Sequence, residues 1–371
     1  MDFNFSEDQQ QLRDAVRRWV SKAYTFERRR QIVADGGFSR AAYTELAELG
    51  LTALAVPEAH GGMGFGAVDV MVAMEELGRG IVLEPLAQAV VASAVFNQYA
   101  PAAEQAQWLP RIASGEALVV LAHQERKARY RLDRCEATAI KTASGHALTG
   151  LKSLVPVGDQ ADAFLVPAQL DGQMALFLVE RGASGLSTRG YGTQNGSRAA
   201  ELQCVNTPAT LLTTHGLTAL TLATDVASAA LCAEAVGVME QTLATTVDYM
   251  NQRKQFGVVI ASFQALRHRV ADMKLQLELA RSMSYYASLK LSAPAAERHQ
   301  AVSRARVQLG QSMRFVGQQA VQLHGGIGVT DEYIVSHYFK HLTQLEMGYG
   351  DSLHHLGEVS AGMHDTAGVF A

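Results

Sequence analysis

Three runs, residues 217–252, 262–290 and 297–323, are rich in Ala, Leu, Val and Met and nearly free of Gly and Pro. Glycine and proline are the residues that stop a helix, so runs this long fold as long helices. Their apolar faces must then be covered, and antiparallel packing into a bundle does so. This constraint governs the chain from about residue 216 to 371.

The texture upstream is different. Between 118 and 215, short β-rich runs (Val119–Ala122, Ala137–Lys141, Ala147–Val155, Ala163–Val166, Met174–Val179) are separated by Ser-Gly, Gly-Asp and Asp-Gly turns. Ser144-Gly145 between two alternating runs predicts a hairpin, and the whole stretch predicts a small antiparallel β-domain. Residues 1–117 read as helical again. Ser6 and Gln9 form a capping box before Leu12, Val16 and Trp19, and a second helix runs from a Ser39 cap to a stop at Gly50. Further helical pattern covers Val68–Leu77, Pro85–Tyr99 and Ala103–Ile112, and the segment Pro57 to Gly64 is a loop. Its glycines are no dinucleotide fingerprint, because no strand precedes them and the spacing is wrong. The expected organisation is an N-terminal α-domain (1–117), a middle β-domain (118–215) and a C-terminal α-bundle domain (216–371), mostly α overall.

Composition excludes several classes. With 371 residues, 48% hydrophobic and 18% charged, the chain has too many apolar residues for disorder. A net charge of -4 with no basic stripe gives no nucleic-acid or anionic-membrane surface. Cys135, Cys204 and Cys232 lie far apart, with neither disulfide framework nor zinc spacing, and read as buried free thiols. His354-His355 lacks a third ligand at metal spacing, so no metal is expected. The most apolar run, Leu217–Met239, contains Asp225 and Glu234, which argues for a buried helix over a membrane span. The N-terminus carries no readable signal peptide, and a cytoplasmic location is the expectation.

Several short motifs lie in order along these regions. Ala55-Val56-Pro57-Glu58 is followed by Gly61-Gly62-Met63-Gly64, and Leu109-Pro110-Arg111-Ile112-Ala113-Ser114-Gly115-Glu116 leads into the β region. Arg253-Lys254-Gln255-Phe256-Gly257 is followed, eleven residues after Arg253, by Gln264. Gln322-Leu323-His324-Gly325-Gly326-Ile327-Gly328 comes later. In this order, on these regions, they resemble the acyl-CoA dehydrogenase family over essentially the whole chain. Taken alone, Arg253 at a helix end would read as a dipole partner and Gly325-Gly326 as a C-cap. The shared order of motifs turns both readings toward a cofactor.

The resemblance implies FAD, with Arg253, Phe256 and Gln264 serving the cofactor of one subunit and Gln322, Leu323, His324, Gly325 and Gly326 coming from its neighbour. Gln124 and Val155 of the β region are the further cofactor contacts it implies. The residue types suit the task. A guanidinium makes bidentate contact with a diphosphate, glycines admit close backbone approach, and glutamine amides donate and accept. The implied reaction is α,β-dehydrogenation of an acyl-CoA, in a homo-oligomer (dimer or tetramer) or a heterotetramer with a paralogous subunit. Electron-transfer flavoprotein is the expected acceptor.

Three departures from the family pattern bear on catalysis. Tyr349 stands where the family has its catalytic glutamate, and the alternative position on the first bundle helix falls at about Ala227. The β-region signature reads Gln124-Glu125-Arg126-Lys127-Ala128-Arg129-Tyr130-Arg131, keeping the acid but losing the Gly, Ser and Asp. Leu154-Val155-Pro156 replaces a Trp-Ile-Thr that flanks the flavin. Together they resemble the small-subunit branch of heteromeric enzymes, such as the pimeloyl-CoA dehydrogenase small subunit. Asp351 is the expected catalytic base, with Tyr349 supplying a backbone N–H to the thioester oxygen. Asp351 can equally serve as a helix N-cap. The competing expectations are a subunit that completes cofactor sites without a base of its own and a flavin-dependent monooxygenase on the same fold.

Overall fold

The computed structural model describes residues 5–143 and 145–363. In chain order the elements are α1 (Glu7–Lys22), α2 (Phe26–Ala34), α3 (Arg40–Glu48), α4 (Ala67–Arg79), α5 (Leu86–Tyr99), α6 (Ala102–Ala113), then β1 (Val119–Leu121), β2 (Thr138–Thr142), β3 (Gly145–Pro156), β4 (Ala163–Leu170), β5 (Gln173–Glu180), β6 (Leu186–Gly192) and β7 (Arg198–Thr213). There follow α7 (Gly216–Gln252), the short strands β8 (Lys254–Gln255) and β9 (Val258–Val259), α8 (Gln264–Lys290), α9 (Ala295–His324), α10 (Ile334–Met347) and α11 (Ser352–Met363). Helices therefore flank a β region in sequence, as the pattern predicts. The expected caps form: Ser6 and Gln9 make the reciprocal capping box, Ser39 accepts from the Ala42 N–H, and Gly50 follows α3 in the left-handed region at φ 79°. The chain divides into two compact units. One contains the chain up to Arg29, Met71–Val82 and the chain from Ser228 onward; the other contains Arg30–Val70 and Leu83–Ala227.

The second unit is built on a seven-stranded sheet whose path runs β4-β2-β3-β7-β5 and returns to β4, with β1 also on β4 and β6 on β7. A sheet closed on itself leaves few unpaired edges. Most pairings are antiparallel, as expected, but β1 and β2 each meet β4 in parallel. The predicted hairpin forms as β2–β3, with Thr142 opposite Gly145; Ser144 itself lies outside the described residues. Inward-facing Leu148, Val155, Phe164, Val166, Phe177 and Leu202 fill this unit's core.

The first unit is a long-helix bundle. Met239, Leu277, Leu309, Met313, Val316 and Leu342 are among its buried residues. The most apolar window of α7 is long enough to cross a membrane, but 89% of it is buried inside the protein. Glu234 within that helix is paired at 2.7 Å with His341 of α10. The backbones of α4 and α7 approach so closely that a Cβ on Gly237 would sit 1.8 Å from the Glu75 carbonyl oxygen, and one on Gly78 would sit 2.1 Å from that of Glu234. No residue but glycine fits either place.

That contact carries α4's carboxylates inside. Glu76 is held by Arg17 at 2.6 Å and Arg13 at 3.1 Å, while Glu75 meets Arg281 at 3.1 Å. Burial outweighs the nearby Arg281 and pushes the Glu75 carboxyl up to about 7 from an ordinary 4.5. A carboxyl whose folded value is raised adds stability that is fully present below its unfolded value and lost as pH rises through the folded one. The Glu75 contribution to stability should therefore fall as pH rises from about 4.5 to about 7. The difference in melting temperature between the protein and its Glu75→Gln variant should move in the variant's favour across that range, as thermal melts of the two would show.

Candidate functional site

The Arg253–Gly257 motif is a tight hairpin that ends α7. β8 and β9 pair Lys254 with Val259 and Gln255 with Val258. The two turn residues, Phe256 and Gly257, both have positive φ (55° and 80°), as a two-residue turn of this hand requires. Glycine adopts that geometry freely; phenylalanine does not. Phe256 is nevertheless 90% exposed, touching Phe263 edge-on at 6.2 Å. A large aromatic side chain in a strained conformation and open to solvent fits a surface that receives something. Arg253 is exposed, and its guanidinium makes no hydrogen bond or ion pair with the described residues. Gln264, the first residue of α8, is exposed as well.

The Gln322–Gly328 motif ends α9 and belongs to the same unit. Gly325 is the C-cap, with φ 65° and ψ −141°, and its N–H reaches back to the Gln322 and Val321 carbonyls. Gln322 is exposed. A Cβ added to Gly325 or Gly326 would meet nothing within 4 Å. Space of that kind beside a glycine pair fits a ligand or another chain approaching the backbone. Leu323 and His324, expected as cofactor contacts, have side chains turned inward, 6% and 3% exposed. The His324 ring stacks on Tyr249 at 4.3 Å, its Nδ1 is 2.8 Å from the Ala320 oxygen, and Tyr249 donates to the His324 carbonyl at 3.2 Å. These two residues fasten the end of α9, and only their backbone remains for a ligand.

In the β-sheet unit the expected residues divide in a similar way. Val155 is 1% exposed and packs in the sheet's core, so its side chain is no cofactor contact; Leu154 beside it is 51% exposed with φ 53°, at a register shift between β3 and β7. Gln124 is half-buried, and its carbonyl accepts from the Ser153 N–H at 2.8 Å. Glu125, the acid kept from the family pattern, is structural here. Its Oε1 pairs with buried Lys152 at 2.6 Å, and its two oxygens accept from the Glu136 and Ala137 N–H groups at 2.6 and 3.1 Å. Burial alone would raise this carboxyl, but Lys152 and the two N–H donors hold it below its usual value.

The Tyr349–Asp351 segment links α10 to α11 in the bundle unit. Asp351 Oδ1 accepts from the His354 N–H at 2.8 Å, so the aspartate caps α11. Glu346, the other nearby acid, accepts from the Ser352 N–H at 3.0 Å and from its hydroxyl at 2.7 Å. Tyr349 is half-buried, with φ 56°. Arg306, absent from the residues expected at this site, lies beneath this loop on the same helix face as Val302, Leu309 and Met313. The one available signal was an arginine on an apolar helical stripe.

The bundle unit thus presents an unpaired guanidinium, exposed amides, a protruding ring and an open glycine pair, which fit a ligand with anionic and planar parts. Comparison with known proteins gives this its context. Residues 6–116 match "Acyl-CoA dehydrogenase, N-terminal domain" and residues 214–364 match "Acyl-CoA dehydrogenase, C-terminal domain". The acyl-CoA dehydrogenase IpdE2 of Mycobacterium tuberculosis is 30% identical over 337 residues, covering 90% of this chain and 90% of that protein. Among solved structures, the ChsE4-ChsE5 complex from Mycobacterium tuberculosis matches with a TM-score of 0.91 at 27% identity, covering 99% of this chain and 100% of that one. A variant of the Tcur3481-Tcur3483 steroid ACAD matches with a TM-score of 0.90 at 29% identity, covering 98% and 99%. The chain belongs to the acyl-CoA dehydrogenase family. It is an FAD-dependent oxidoreductase acting on acyl-CoA, and the exposed Arg253, Gln264 and Gln322 with the open Gly325-Gly326 backbone fit that cofactor.

Two substitutions test the bundle site without disturbing the fold. Arg253→Ala removes a charge-assisted partner of about 1.5–3 kcal/mol and should weaken FAD binding at least about tenfold. Gly326→Ala adds a methyl that meets nothing within the chain, so its melting temperature without FAD should stay at the wild-type value while flavin occupancy drops. Flavin absorbance per polypeptide after dialysis, read beside thermal melts, checks both.

Proposed function

We propose that this chain is one subunit of a two-chain acyl-CoA dehydrogenase that removes hydrogens from the α and β carbons of an acyl-CoA thioester. The observation that carries the proposal is the set of exposed Arg253, Gln264 and Gln322 side chains and the open Gly325-Gly326 backbone, in segments that match the family's cofactor motifs. Bound FAD supplies the acceptor for the β-hydride. Arg253 is the diphosphate partner, Gln264 and Gln322 offer amides to the adenylate portion, and Gly325-Gly326 is the segment given to a neighbouring subunit's cofactor. Gln124 is the β-region contact, together with the backbone around Val155. Pro156 lacks an N–H there and Leu154 is hydrocarbon, so flavin should be held more weakly in the isolated chain than with its partner. Electron-transfer flavoprotein is the proposed acceptor of the electrons. The two-chain names of the ChsE4-ChsE5 and Tcur3481-Tcur3483 structures support a paralogous partner.

Within this reading Asp351 is the base. The α-proton of a thioester is weakly acidic, so its removal needs donors aimed at the thioester oxygen, and the Tyr349 backbone N–H is assigned that role. Capping α11 engages Asp351 Oδ1. The engagement of this carboxylate in a cap favours a second reading, in which the paralogous chain supplies the base. Asp351→Asn keeps the cap and removes the basic oxygen, so it separates the two. With Asp351 as base, anaerobic flavin reduction by a panel of acyl-CoAs should fall about 10²–10⁴-fold while thermal stability holds. Near-normal reduction by Asp351→Asn in the two-chain complex would assign the base to the partner.

A further inference from the structure

A single nitrogen of Arg306 reaches carbonyls of both the last turn of α10 and the linker to α11. Its Nη2 lies 2.9 Å from the Leu345 carbonyl oxygen, 3.0 Å from Glu346, 2.8 Å from Gly348 and 3.0 Å from Gly350. The residue is 2% exposed, its neighbours include the buried Cys232 thiol, and among the described residues its Nε and Nη1 have no oxygen or nitrogen partner. No carboxylate among the described residues pairs with it. Burying an unpaired guanidinium costs several kcal/mol in general, and a well-packed apolar side chain would avoid that cost. What the charge contributes is visible in the geometry. Leu345 and Glu346 belong to the last turn of α10, where carbonyls lack helical partners and a cation is favourable. Gly348 and Gly350 lie beyond it, and between them Tyr349 is held at φ 56°.

The rest of the linker leaves this fold little freedom. Gly350 has φ 123°, and a Cβ there would sit 2.7 Å from His355 Nε2. Burial, with the Arg306 charge beside it, pushes the His355 imidazole down to about 2, so it remains neutral and adds no second cation.

We propose that Arg306 is the positioning residue of the catalytic loop: through four carbonyls it fixes the left-handed turn at Tyr349 and so aims the Tyr349 backbone and the Asp351 carboxylate. It touches neither substrate nor cofactor. The inference rests on the dehydrogenase reading for its kinetic consequence but not for its structural one, and the test separates these.

The experiment compares wild type, Arg306→Lys and Arg306→Met in the FAD-loaded protein with its partner chain. Methionine fills similar volume without charge or donors, and lysine restores a donor cation. Two readouts are taken: amide hydrogen exchange across residues 345–355 and anaerobic flavin reduction at saturating acyl-CoA. For Arg306→Met the expectation is faster exchange confined to this segment and reduction slowed about 10²-fold, the scale of a misplaced reacting group. The half-saturating acyl-CoA concentration and flavin content should stay within a few-fold. Arg306→Lys should recover most of both losses. Unchanged exchange in the segment, or faster exchange throughout the bundle, would overturn the proposal by making Arg306 dispensable or merely structural. Local loosening with reduction unchanged would overturn it as well. Should wild type be reduced by no acyl-CoA, the dehydrogenase reading fails, while exchange still decides whether Arg306 holds the loop. If Arg306→Met does not fold, Arg306→Gln, uncharged but with an amide donor, is held to the same outcomes.

Discussion

The contact of α4 with α7 at Gly78 and Gly237 sets the terms for the bundle unit. Backbones that meet within a Cβ's radius leave no room for side chains between them, so the flanking residues of α4 are carried into the interior. Those residues include Glu75 and Glu76; Arg13 and Arg17 reach Glu76 from α1, and Arg281 of α8 reaches Glu75, whose raised pKa eases its burial further. Four helices are thereby tied to one seam by charge as well as by apolar packing. With α7 fixed along this seam, the proposed cofactor hairpin at Arg253–Gly257 projects from a rigid support, as such a site would require.

Rigid support also explains where the backbone departs from ordinary geometry. Leu154, Phe256 and Tyr349 all have positive φ, and each lies in a segment singled out by its match to, or departure from, the family pattern. A non-glycine residue in that region costs on the order of 1–3 kcal/mol and persists only where its surroundings impose it. For Tyr349 the imposing groups are Arg306 and the packing around Gly350. For Leu154 it is the shift of register between β3 and β7, which turns Val155 inward and Leu154 outward. A one-residue change of facing of this kind decides which side chain a ligand can meet.

The long helices and their caps were legible because each is a local property. Ser6, Gln9, Ser39 and Gly50 act on residues within one turn of themselves. What escaped reading was set by distant partners. β7 contains Asn206 at φ 49° and Pro208, and neither fits an alternating strand pattern; it exists because β3, β5 and β6 all pair with it. β6, with Gly190 and Gly192, lacks an alternating apolar pattern and is held by its pairing with β7. α2 was missed although Thr25 caps it by accepting from the Arg28 N–H at 3.2 Å, because its charged run hides the apolar stripe. At the site, motif order located the exposed residues Arg253, Gln264 and Gln322. It could not say that Leu323, His324 and Val155 face inward, or that Glu125 is bound to Lys152, since burial depends on the tertiary fold.

The acids near Tyr349 show how this loop differs from one that carries its own glutamate. Tyr349 brings a phenol, whose reference pKa near 10 makes it a poor base at neutral pH. Glu346 and Asp351 are the carboxylates within reach along the chain, and both are bonded to the first turn of α11. Both carboxylates thus accept from the open N–H groups of a helix N-terminus and serve the fold. The loop's backbone, in contrast, is kept with care: Arg306 holds two of its carbonyls and two from the last turn of α10, and Gly350 fits where no side chain would. On the proposed reading, a chain that maintains the shape of the loop while lending its carboxylates to a helix cap keeps the part of the chemistry that depends on backbone donors. The base is then either Asp351 acting from its cap or a carboxylate on another chain.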